Sequence, residues 1–176
     1  LARAAEAGVA DLVQVCPDPD ETARRGLLAS ADVFLSLSDN IQETFGLTVV
    51  EAMAAGLPAV VSDWDGYRSL VEDGVVGYRI PTLVPPVEET WDAVLALRPD
   101  SLMHSFSAQL TAVDIEAAAG RLFELSADEG RRRAMGDRAR AEARQYAWPR
   151  IVSRYGELWR RMAARPPNGG ALPGPR

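Results

Sequence analysis

Apolar residues along the first eighty positions come in short runs separated by polar, Gly and Pro punctuation. The alanine-rich start, Leu1 to Gly8, predicts a helix with Gly8 at its C-terminal cap. "LVQV" (Leu12 to Val15) predicts a short strand, broken by "CPDPD". Asp20 or Pro19 then opens a helix that runs to about Ala29. "DVFLSLS" predicts a strand over Val33 to Leu37, and the polar "SDNIQET" a loop after it. "FGLTVVEAMAAG" predicts a helix from near Phe45, closed by Gly56. A strand at Ala59 to Val61 follows, then a loop and short helix in "DWDGYRSLVEDG", a turn at Asp73-Gly74, and a last short strand in "GYRIP".

Short, almost wholly apolar strands alternating with helices predict an α/β fold, a Rossmann-like parallel sheet flanked by helices on both faces. Such sheets bind ligands beyond the carboxyl ends of their strands. The loops Ser38 to Thr44 and Ser62 to Gly66 leave neighbouring strands at that end, so the two most polar loops are expected to share one rim. Residues 1–82 are read as this core. Residues 83–112 lack a clear period and are read as an irregular insertion. Residues 113–165 are read as C-terminal helices of the same domain, over Asp114 to Leu125, Asp128 to about Tyr146, and Pro149 to about Ala164. Residues 166–176 form a Pro/Gly-rich tail expected to be disordered. No internal repeat is present.

Composition narrows the class. With 176 residues, 47% hydrophobic and 25% charged, the chain can build a core without disulfides. Its one cysteine, Cys16, excludes an internal disulfide and fits a reducing cytoplasm. A net charge of −6 argues against nucleic acid as a partner. All 19 basic residues are arginine, which reads as compositional bias. No apolar run approaches the ~20 residues of a membrane span. The chain starts without methionine, as if at the end of a helix entering a strand, and is expected to be cut from a longer protein.

"ETFGLTVVE" sets two carboxylates, Glu43 and Glu51, around the start of the third helix. At 1.5 Å rise per residue their Cα atoms lie roughly 9–12 Å apart. That is too far for a retaining glycosidase pair and marginal for an inverting one. It suits two contacts on one long ligand. Between them the amides of Thr44, Phe45, Gly46 and Leu47 face out of the helix start and, with the helix dipole, favour an anion. Gly46 permits close approach of a ligand. A nucleotide sugar offers hydroxyls, a diphosphate and ribose hydroxyls in that order, and carboxylates accept hydrogen bonds from hydroxyls. On spacing alone a plainer reading remains open: Asp39 or Thr44 caps the helix and both glutamates are solvated.

The stretch "ADVFLSLSDNIQETFGLTVVEAMAAGLPAVVSDWDGYRSLVEDGVVGYRIPT" (residues 31–82) resembles the nucleotide-sugar-binding half of retaining glycosyltransferases of family four, which have the GT-B fold. The "ADVF" strand, serine loop, glutamate, Phe-Gly, second glutamate before "AMAAGLP", aspartate-glycine loop and "DG..G" carry the resemblance. It covers residues 1–82 well, and the helical end is also family-like. The resemblance implies the C-terminal half of a GT-B fold with its first strand missing. It implies that Glu43 binds donor-sugar hydroxyls and steadies charge near the anomeric carbon. It also implies that the amides of Thr44, Phe45, Gly46 and Leu47 line the sugar–phosphate site and that Glu51 holds the ribose. Cys16 and Pro17 would stand where the family contacts the base, although the usual glycine there is replaced. The family's reaction is glycosyl transfer with retention from a nucleoside diphosphate sugar, generally without bound metal. Its phosphate-binding arginine and lysine usually precede the first strand, and this chain has no lysine. The implied reading is the donor half of an enzyme, inactive without its N-terminal acceptor domain. A GT-B nucleotide-sugar epimerase and a non-catalytic nucleotide-binding α/β domain are the alternatives.

Other residues are read more plainly. His104, the sole histidine, lies in the insertion without triad or metal partners. Cys16 lacks a pattern that would make it a nucleophile. Asp63 and Asp65 flank Trp64 in a turn where Gly66 would supply unusual φ. A metal between the two aspartates is the lesser alternative. Trp64 and Tyr67 either border the sugar pocket or pack. Arg131 to Arg133 read as a solvated helix face. Trp148, Ile151, Tyr155, Leu158 and Trp159 share one stripe of the last helix, part of which is expected to lie bare.

Overall fold

The computed structural model describes residues 2–39, 43–84 and 109–164. Its contacts fall into two units, Leu1–Asp32 and Val33–Arg176. The first holds helix α1 (Ala2–Glu6), a 3-10 turn (Ala10–Leu12) and helix α2 (Glu21–Ser30), none of which buries a residue. Asp20 caps α2 by accepting a bond from the Ala23 amide at 2.8 Å, as its position ahead of the helix implies. The strand expected at Leu12 to Val15 is not formed. Leu12 ends the 3-10 turn, and Val13 and Val15 are exposed with no ladder partner among the described residues. A run of β-prone side chains becomes a strand only when a neighbour takes its backbone hydrogen bonds.

The second unit is built on strands β1 (Phe34–Ser36), β2 (Ala59–Ser62) and β3 (Gly77–Ile80), parallel and in that order. Phe34 lies opposite Ala59, and Ala59 opposite Gly77. Helix α3 (Leu47–Ala55) connects β1 to β2, and the short α4 (Tyr67–Leu70) lies between β2 and β3. After β3, Thr82–Leu83 (β4) pairs antiparallel with Ala112–Val113 (β5). The two ends of the expected irregular insertion are thus a regular clasp. Residues 85–108, including His104, and the tail 166–176 lie outside the described residues. Three helices follow: α5 (Ile115–Ala127), α6 (Glu129–Ala143) and α7 (Trp148–Ala163). Asp114 and Asp128 cap the first two through the Ala117 and Arg131 amides.

Successive residues of a strand point to opposite faces. On the central strand this sends Ala59 and Val61 to one core and Val60 to the other. The first core adds Val49 and Met53 of α3, Tyr67 and Leu70 of α4, and Ala139 and Ala143 of α6. The second adds Tyr78, Ile80, Ala118, Leu125 and Met135. Each large aliphatic side chain so buried contributes about 1.5–3 kcal/mol. Helix α6 comes close to the end of α3: a Cβ on Gly136 would stand 2.1 Å from the Gly56 carbonyl oxygen. At the same place Arg140 donates from Nη2 to the Ala55 carbonyl at 2.6 Å.

Arg131 and Arg133 are exposed, as the solvated face requires, and Arg132 is half-buried. Arg131 pairs with Glu124 of α5 at 2.6 Å, and Arg132 donates to the Leu125 carbonyl at 2.7 Å. These contacts tie α6 to α5 across the junction at Asp128. The stripe on α7 is bare, with Trp148 77% and Trp159 63% exposed. No helix among the described residues is long and apolar enough to cross a membrane.

Candidate functional site

Because β1 and β2 are parallel neighbours, the loops at their carboxyl ends emerge side by side. They are joined in two places. Ser62, at the end of β2, donates its hydroxyl to the Ser38 carbonyl at 2.6 Å. Gly66 lies flat against the other loop: a Cβ there would stand 2.4 Å from the Thr44 carbonyl oxygen and 2.6 Å from the Phe45 Cα. The shared rim expected from the pattern is present. The reason for Gly66 differs from the expected one. Its φ is −58°, and the positive φ of the turn belongs to Asp65, at 27°. Gly66 is needed for space between two loops.

On this rim Glu43 is half-buried, Thr44 and Phe45 are exposed, Gly46 is buried and Leu47 is exposed. Helix α3 starts at Leu47, two residues beyond the expected Phe45. Gly46, with φ 92° and ψ 57°, is left-handed and stops the right-handed helix from starting earlier. Its carbonyl accepts the first helical bonds, from the Val49 and Val50 amides at 3.0 and 3.2 Å. Gly46 has no side chain with which to cap this helix end. Of the first turn, the Val49 amide is taken up by Gly46, which leaves the Leu47 and Thr48 amides and the positive end of the dipole at this helix start. Thr44 and Phe45 sit in the loop ahead of it, the Phe45 ring edge-on to Tyr146 at 5.7 Å. Glu51, half-buried, is one turn into α3. The structure thus gathers Glu43, Thr44, Phe45, Gly46, Leu47 and Glu51 on one loop–helix junction. Cys16 and Pro17 are exposed and belong to the first unit.

Behind Gly46 lies a residue that the sequence left between pocket border and packing. Tyr67 is 1% exposed, so it borders no open pocket. Its hydroxyl is 2.8 Å from Ser36 Oγ. Burial pushes the phenol's pKa up; the Ser36 bond lowers it, and the charge and hydrogen bond of Glu43 raise it. Its ring fills the space behind Gly46, where a Cβ would meet Cε1 at 2.6 Å and Cδ1 at 2.8 Å. No local pattern signals this role, since Ser36 and Tyr67 are distant in the chain.

Asp63 is engaged by arginines, 3.1 Å from Arg68 Nε and 3.5 Å from Arg79 Nη1. Those charges occupy the carboxylate that the lesser reading gave to a metal. Among the described residues no group of three or more His, Cys, Asp or Glu side chains comes together.

The family model described as glycosyl transferases group 1 matches residues 2–93, more than half of the chain. The chain belongs to this family. Among curated relatives, a phosphatidyl-myo-inositol mannosyltransferase of Mycobacterium leprae is 38% identical over 80 residues, covering 45% of this chain and 21% of the relative. A D-inositol 3-phosphate glycosyltransferase of Streptosporangium roseum is 32% identical over 130 residues, covering 70% of this chain and 29% of the relative. The chain therefore spans between a fifth and a third of the length of these glycosyltransferases. Among solved structures, sucrose-phosphate synthase from Thermosynechococcus elongatus matches with a TM-score of 0.65 at 21% identity, over 93% of this chain and 33% of that one. At that identity the likeness speaks for the fold, a parallel sheet between helices as in the GT-B glycosyltransferases.

Proposed function

We propose that this glycosyltransferase chain carries the donor-binding side of a retaining enzyme that transfers a sugar from a nucleoside diphosphate sugar to an acceptor. The observation that carries the reading is the junction itself. A half-buried carboxylate, Glu43, stands just ahead of a helix N-terminus, and a second, Glu51, lies one turn further on. Glu43 accepts hydrogen bonds from the sugar hydroxyls and faces the positive charge that develops at the anomeric carbon. The Leu47 and Thr48 amides at the start of α3 hold the diphosphate as its leaving charge grows. Glu51 accepts from the ribose hydroxyls. In transfer with retention the acceptor oxygen bonds to the anomeric carbon on the face that the diphosphate leaves, and the acceptor proton goes to that diphosphate. No metal is required of these residues.

The acceptor-binding domain is expected outside this chain, in keeping with the share of the relatives that it spans. We expect donor binding without transfer. Calorimetric titration of the full chain with GDP-mannose and UDP-glucose tests the reading. One of the two should bind, and Glu43→Ala should weaken it roughly ten- to a hundredfold, the loss typical of hydrogen bonds to a charged group. The nucleoside diphosphate alone should bind the variant as it binds the parent, because Glu43 faces the sugar. Absence of binding, or a Glu43→Ala variant with parental affinity for the sugar nucleotide, refutes the reading.

A further inference from the structure

Thr44 and Phe45 lie between Glu43 and the left-handed Gly46, and among the described residues neither makes a backbone hydrogen bond. Two packing contacts set their place instead. On one side Gly66 comes so near that a Cβ there would stand 2.4 Å from the Thr44 carbonyl oxygen. On the other side the Tyr146 ring meets the Phe45 ring edge-on, 5.7 Å between centroids and 73° between planes. Phe45 is 40% exposed and joins neither core, whereas Tyr146 is half-buried against the first core. The ring pair therefore ties the loose member to the fixed one.

Tyr146 is fixed because of what precedes it. It ends a 3-10 turn (Arg144–Tyr146) that continues from α6. Gly136 and Arg140 of α6 sit at the far end of α3, against the Gly56 and Ala55 carbonyls. Ala139 and Ala143 are buried in the same core as Val49 and Met53 of α3. With Tyr146 then reaching Phe45, α6 lies antiparallel along α3 and braces it at both ends. We propose that Tyr146 is a positioning residue of the donor site, its ring holding Phe45 so that Glu43 and the start of α3 keep one geometry toward a nucleoside diphosphate sugar.

This inference rests on the reading of the loop–helix junction as the donor site. A binding constellation has to be held to within about 0.5 Å by side chains that packing locks in turn. A shift of Phe45 would carry its neighbours Thr44 and Gly46 with it, and so the diphosphate-facing start of α3. Tyr146→Phe keeps the ring and its edge; Tyr146→Leu keeps apolar bulk and removes the pair.

Calorimetric titration of the full chain with GDP and with UDP tests the proposal. The nucleotide that binds the parent should bind Tyr146→Leu about two- to tenfold more weakly, the worth of one aromatic pair, and Tyr146→Phe as it binds the parent. Phe45→Leu, which breaks the same pair from its exposed side, should lose as much. Tyr146→Leu in that background should cost nothing further, a coupling in affinity that a merely structural role would not produce. If neither nucleotide binds the parent, the donor reading falls and this inference with it. If one binds, parental affinity in Tyr146→Leu, an equal loss in Tyr146→Phe, or losses that add overturn the positioning role alone. Should Tyr146→Leu not fold, Phe45→Leu decides: weaker binding upholds the role, and parental affinity overturns it.

Discussion

Gly46→Ala attacks the point on which the helix start and the rim both depend. Gly46 is buried and held at φ 92°, where a side chain strains the backbone by about 1–2 kcal/mol. The new methyl would stand 2.6 and 2.8 Å from two carbons of the Tyr67 ring and 3.2 Å from Leu70 Cδ1. None of these atoms is the loose end of a flexible side chain, because Tyr67 and Leu70 are both buried in the first core. Relieving such overpacking costs about 1–3 kcal/mol more. The total, roughly 2–5 kcal/mol, is a large part of the ~5–15 kcal/mol that holds a domain folded. For a domain of this size it corresponds to a fall in Tm of about 4–20 °C. Thermal unfolding followed by circular dichroism reads it. Gly120→Ala is the control of opposite sign. Gly120 is inside α5, and beyond the helix's own backbone nothing among the described residues comes within 4 Å of its Cβ position. Alanine there should raise stability by about 0.5–1 kcal/mol through helix propensity alone. A Gly46→Ala variant that melts with the parent, or a Gly120→Ala variant that falls as far, refutes the account of both glycines.

Two further predictions concern the helices. Asp114→Ala removes the cap that receives the Ala117 amide at 2.9 Å and should cost about 1 kcal/mol, read as a shift in denaturation midpoint; Asp114→Ser should recover most of it. The Tyr78 hydrogen bond, at 2.7 Å, and then Arg121 hold the Glu124 carboxyl below its ordinary pKa. A depressed carboxyl contributes stability that is whole above its unfolded pKa, about 4.3, and is lost as pH falls through the lower folded value. Glu124→Gln should therefore melt lower than the parent at pH 7 and lose less Tm between pH 5 and pH 3. Parallel acid limbs for the two proteins would count against it.

Features whose causes lie within a turn or two of chain were legible in the sequence. The caps Asp20, Asp114 and Asp128 bond amides three residues on. Gly56 closes α3, and short apolar runs between polar loops mark β1, β2 and β3. The order of Glu43, the glycine-bearing helix start and Glu51 is likewise local, but the family showed only in the whole stretch from "ADVF" to the "DG..G" turn. Contacts between distant residues were settled only by folding. Leu12 to Val15 finds no ladder partner among the described residues. Arg131 and Arg132 find Glu124 and the Leu125 carbonyl across a helix junction. Gly66 is small because another loop's backbone passes within reach of its Cβ position. Tyr67, a plain aromatic in a short helix, becomes the partner of Ser36 and the prop behind Gly46 because parallel pairing brings the ends of β1 and β2 together. Propensity, capping and periodicity act over one to four residues, whereas burial and pairing depend on which segments the sheet makes neighbours. The candidate site residues could be read along the chain, and the buried ones packed behind them could not.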